Sequence, residues 1–129
     1  MKKYYFFLVA FLAITASNAQ ASLSAITPIP YEIVENQPLF PGGINEFMKF
    51  IGKNFQAPSD ENFSGGVLKV TFVIETNGII SGVKIINDLG FGTADEIKRV
   101  LSSCPKWTPG DQAGKPVRVV YTLPVNIRV

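Results

Sequence analysis

The sequence predicts an α+β domain: a three-stranded antiparallel sheet of strand order 2-1-3, with two helices packed on one face. Three patterns carry that expectation. Residues 67–75 and 117–127 alternate apolar and polar side chains, the period of two that turns one face of a strand into a core. Thr76-Asn77-Gly78 follows the first of these runs and signals a hairpin, because Asn and Gly tolerate positive φ. Residues 44–55 and 94–104 carry apolar side chains at helical spacing.

Taken in order, the chain opens with a stretch outside the expected fold. Lys2-Lys3 is a basic start, residues 4–16 are almost unbroken apolar, and Ser17-Asn18-Ala19 offers small residues for cleavage ahead of Gln20. Residues 1–19 therefore read as a secretory signal peptide and the expected location is the periplasm. The apolar run is short for a span, which needs about 20 residues; an uncleaved inner-membrane anchor is the alternative. Residues 20–36 form an extended lead-in, with a short strand within it as an option, because Pro28, Pro30 and Pro38 restrict the residues before them. The domain proper is expected over 37–129.

Phe40-Pro41-Gly42-Gly43 is a turn before the first helix, with Gly43 as N-cap. Ile44, Phe47, Met48, Ile51 and Phe55 make the apolar stripe, read as core packing rather than a ligand groove, and Pro58 closes the segment. A polar loop leads to the first strand, where Leu68, Val70, Phe72 and Ile74 share a face. The second strand runs over 79–87, and Gly82 suggests a bulge. Thr93 and Glu96 have the spacing of a capping box at the start of the second helix. Ala94, Ile97, Val100, Leu101 and Cys104 form its stripe, and Pro105 ends it. Trp107 follows as a core anchor whose ring N–H needs an acceptor. In the last strand the odd positions from Val117 to Ile127 are all apolar, and Pro124, with no N–H to donate, favours a sheet edge. A right-handed crossover through the second helix brings this strand beside the first. Its unpaired backbone groups then become the candidate working surface.

Composition excludes several classes. Of 12 basic residues, cleavage removes Lys2 and Lys3 and leaves ten against ten acidic ones, so the exported domain is formally neutral. With no basic stripe, nucleic acid is not an expected partner. There is one cysteine and no histidine, which rules out an internal disulfide, a Cys/His metal site and a His-based triad. No cofactor is expected. Asp95 and Glu96 are adjacent on a helix, face different ways and make a poor acid/base pair. The chain does not read as an enzyme. Cys104, on an apolar helix face, is a buried small hydrophobe or, in an exported chain, the link of an intermolecular pair.

Pro105-Lys106-Trp107-Thr108-Pro109-Gly110, Gly114-Lys115-Pro116-Val117 and Tyr121-Thr122-Leu123-Pro124-Val125 resemble the C-terminal domain of TonB energy transducers, in the form found in Bacteroidetes. Pro38-Leu39-Phe40-Pro41-Gly42-Gly43 is similar to that family's lead into its first helix, and Gly66-Val67, Asn77-Gly78 and Val83-Lys84-Ile85 to its strand pair. The resemblance implies a partner, the TonB box, an extended N-terminal segment of an outer-membrane TonB-dependent transporter that adds to the last strand. The expected peptide-binding residues are Lys115, Val117, Arg118, Val119, Val120, Tyr121 and Thr122; Trp107, Pro109, Gly110 and Gly78 are expected to be structural. Lys115 and Arg118 either favour an acidic peptide or blunt the edge as solvated charges. Two departures stand out. A full transducer keeps a membrane helix and a long Pro-rich arm, whereas this leader reads as cleavable and the arm is absent, so the expected protein is a free binding module. Gln56-Ala57-Pro58 stands where the family usually carries Tyr-Pro. The competing expectations are a self-associating domain, dimeric through the same edge, and an anchored transducer if the leader stays.

Overall fold

The structure, a computed structural model, describes residues 27–129. The expected signal peptide and the first residues of the lead-in lie outside these. In chain order the elements are β1 (Ile29–Pro30), α1 (Ile44–Asn54), β2 (Gly66–Ile74), β3 (Ile80–Asn87), α2 (Thr93–Ser102), β4 (Gly110–Gln112), β5 (Lys115–Val117) and β6 (Val119–Ile127).

The sheet corrects the expected architecture. It is four-stranded and mixed, with order β1-β6-β2-β3, and β4 and β5 form a second, two-stranded sheet; it is not the three-stranded antiparallel sheet of order 2-1-3. β6 lies antiparallel along the whole of β2, from Gly66 opposite Ile127 to Ile74 opposite Val119. β1 runs parallel to β6, with Ile29 opposite Val119 and Pro30 opposite Val120. Ile29-Pro30, one of the two itself a proline, is too short to alternate, so no pattern of its own fixes where a strand falls. Its cause is the demand of backbone groups for partners: the Ile29 and Tyr31 amides donate to the Arg118 and Val120 carbonyls, each at 2.9 Å.

The final run is also broken in two. β5 pairs with β4 across Ala113-Gly114, with Gly110 opposite Val117 and Gln112 opposite Lys115. Both turn residues have positive φ, 52° and 77°, the twist-matched geometry of a two-residue hairpin. The lead-in clasps this small hairpin. Asn36 and Asp111 exchange backbone hydrogen bonds, as do Leu39 and Thr108. The Asn36 side chain donates to the Asp111 carboxylate at 2.6 Å. Val34, Val117 and Val119 make a small satellite core beneath the clasp.

Both helices cover one face of the large sheet. Leu68, Val70, Phe72 and Ile74 of β2 and Tyr121, Leu123, Val125 and Ile127 of β6 pack with Phe47 and Ile51 of α1 and Ile97, Val100 and Leu101 of α2. Ile44 and Met48 stand at the rim of the α1 stripe, 39% and 40% exposed. Gly43 is the N-cap of α1. The N-cap of α2 is Gly92 rather than Thr93, and no capping box forms. The Thr93 hydroxyl donates instead to the Gly90 carbonyl at 2.7 Å, closing the glycine turn beneath it.

Glu96, released from that cap, ties the helices together. Both its oxygens accept from Arg99 at 2.7 Å, and the Gln56 amide donates to it. Arg99 in turn donates to the Asn54 carbonyl at the end of α1, where a cation suits the helix dipole. These hydrogen bonds from Arg99, with that of the Gln56 amide and the Arg99 charge, pull the Glu96 carboxyl down to about 2 from an ordinary 4.5. A depressed folded pKa stabilises above the unfolded value, and that contribution disappears as pH falls from about 4.5 toward 2. Urea melts from pH 7 to 2.5 should therefore show stability falling in that window. The fall should be shallower in Glu96→Gln, and equal slopes in the two proteins would remove the pair from the acid response.

Candidate functional site

The candidate working surface is the side of β6 turned away from β2. Side chains of Val119, Tyr121, Leu123, Val125 and Ile127 are buried, whereas Thr122, Pro124 and Asn126 are exposed. Backbone groups alternate as well. The Arg118 and Val120 carbonyls point to β1, so the even-numbered residues turn their backbone groups outward. Thr122 and Asn126 thus present N–H and C=O to the open side, and Pro124 presents C=O. Among the described residues no strand pairs with β6 there. Pro124 lies opposite Lys69, and its missing N–H falls on the open side, where β2 needs nothing. β3 forms the opposite edge, but two register shifts interrupt its pairing with β2, between Lys69 and Val70 and between Thr71 and Val73. Such bulges bend a strand away from regular addition.

The residues expected to bind a peptide scatter across different environments. Lys115 is exposed on the β4–β5 hairpin, off the large sheet. Val117 is buried and pairs with Gly110. Val119 and Tyr121 are buried and face β2 residues Ile74 and Phe72. The Val120 carbonyl is already taken by Tyr31. Thr122, of the seven, offers its backbone to open space. Pro124 and Asn126 extend the edge beyond the expected range; the phase of Pro124 was the signal that pointed to them.

Arg118 is engaged across the sheet. Its guanidinium donates to the Glu75 carboxylate at 2.7 and 3.1 Å. The Ser81 hydroxyl donates to the same carboxylate. The Arg118 hydrogen bonds, then that of Ser81, hold the Glu75 carboxyl below the usual range. This cluster joins the start of β6 to both strands of the hairpin and fixes the edge rather than offering charge to a ligand.

Trp107 supports the site from below. It is 3% exposed, with ring centroids 4.8 Å from Phe47, 5.7 Å from Phe40 and 6.2 Å from Tyr121. Its indole N–H finds the Cys104 sulfur at 3.4 Å. Burial pushes the Cys104 thiol up, which weighs against a reactive cysteine. The Trp107 amide donates to the Gly78 carbonyl at 2.9 Å, so the hairpin turn and the tryptophan segment lie backbone to backbone. Gly110 is equally constrained: a Cβ there would sit 2.8 Å from Val119 Cγ2 and 3.0 Å from Pro38 Cδ. Pro109, half-buried, spans the interval between Thr108, held by Leu39, and Gly110.

Residues 59–128, from the loop before β2 through β6, match the family described as Gram-negative bacterial TonB protein C-terminal. The chain belongs to the TonB C-terminal family. No curated protein and no solved structure matches it. TonB C-terminal domains are non-catalytic interaction modules that engage outer-membrane TonB-dependent transporters, and the family suggests an envelope-associated location. The match gives this domain a TonB-like role in transport-related protein interaction. The matched region contains the whole β6 edge and the Trp107 support; β1 and α1 precede it. Among the described residues no helix is long and apolar enough to cross a membrane.

Proposed function

We propose that this TonB C-terminal domain is a periplasmic binding module that captures the TonB box of an outer-membrane transporter as an added strand on β6. The observation that carries the proposal is the open backbone edge formed by Thr122, Pro124 and Asn126, on a strand whose other side is fully paired. Strand addition supplies backbone hydrogen bonds worth about 1 kcal/mol each, from which the cost of association is subtracted. Affinity for an isolated TonB-box peptide is therefore weak to moderate. Specificity comes from alternate side chains of the guest, which face the helix layer and solvent in turn.

Thr122→Pro tests this. The substitution removes one outward N–H, in the same phase as the native Pro124, and leaves the pairing with β2 intact. A TonB-box peptide should bind about tenfold more weakly, because one of its acceptors is left unpaired. Unchanged affinity in a folded variant would move the docking site away from β6.

A further inference from the structure

The β6 edge is open at one end and occupied at the other. Given β6 as the docking edge, we infer that residues 29–31 are an internal competitor for it: an incoming strand displaces them, and the affinity of the domain is set against their release. A strand added to β6 runs about 4.8 Å from it, and β1 already lies on that line. The two cannot share positions 118–120.

The occupant is held lightly. Its backbone contact is two register pairs long and includes the hydrogen bonds from the Ile29 and Tyr31 amides, after which the chain turns away, with the Ile33 and Val34 amides both donating to the Pro30 carbonyl. The Tyr31 ring meets Tyr121 edge-on at 4.8 Å, and Ile29 packs partly buried on the satellite core. The firmer anchors lie downstream, at Asn36 with Asp111 and Leu39 with Thr108. Releasing residues 29–31 leaves those in place. A guest also has reason to take the position. Pro124 has no N–H, so a strand confined to the open end finds donors at Thr122 and Asn126 only. Extending onto the Arg118 and Val120 carbonyls adds two acceptors, those β1 now holds.

The test uses the full chain and a synthetic TonB-box peptide. Peptide binding should increase amide hydrogen exchange at Ile29 and Tyr31 while Leu39 and Asp111 stay protected. Tyr31→Ala should bind the peptide about tenfold tighter, since the apparent affinity of a partly occluded site is reduced by its closed fraction. Tyr31→Phe, which keeps the ring, should match the wild type. If peptide binds with Ile29 and Tyr31 still protected, or if Tyr31→Ala binds no tighter, the competitor is refuted and β6 docking survives. If no protein binds at millimolar peptide, β6 docking fails and the competitor falls with it. The exchange experiment on the wild type decides the matter even if Tyr31→Ala does not fold.

Discussion

Trp107→Ala is expected to cost about 3–5 kcal/mol, enough to consume most of the stability of a domain this size. The ring sits among Phe40, Phe47, Phe72 and Tyr121, so its removal leaves a cavity touching α1, β2, β6 and the lead-in together. Because the ring packs on Tyr121, next to Thr122 of the proposed docking edge, peptide binding should fail along with folding. Trp107→Phe separates the contributions. It keeps most of the apolar volume and loses the hydrogen bond to Cys104, so its cost should be far smaller. Chemical denaturation of both variants checks the order; equal losses would mean that ring volume is not what holds this layer.

Gly78→Ala is expected to cost about 2–4 kcal/mol, large for one methyl group. Two effects add. The residue sits at φ 84°, where a Cβ is strained, and an added Cβ would overlap the Trp107 carbonyl oxygen. The turn and the tryptophan segment must separate, breaking the bond from the Trp107 amide to the Gly78 carbonyl. The loss should be non-additive with Trp107→Phe, because pushing the Trp107 backbone away from the turn also displaces the ring that the second change alters. Strict additivity in a double-mutant cycle would place the damage in the turn alone.

The parts of the fold that were legible in the sequence are those whose signal is local. The alternation of β6 places Tyr121 and Leu123 inward and Thr122 and Pro124 outward, as the residue pattern requires. Trp107 follows a helix-ending proline, and an isolated large aromatic needs a core. Illegible were the contacts that join distant segments. β1 is made by the demand of two carbonyls some 90 residues away, and Ile29–Pro30 has no period to reveal it. The break at Arg118 is similar: its side chain is drawn to Glu75, and the residues before it pair with β4. Thr93 and Glu96 had the right spacing for a cap, but the turn of Gly90 and Gly92 satisfied the threonine first. The same limit applied to the site. Sequence pattern identified the strand and its outward phase, while the lead-in decided which part of that edge stays open.

That open part is the central claim, and amide mapping of the labelled full chain with a TonB-box peptide tests it most directly. Shift changes and new exchange protection should appear at Thr122 and Asn126 of β6, with the amides of β3 unmoved. A response along β3, or none at Thr122 and Asn126 under saturating peptide, would contradict it.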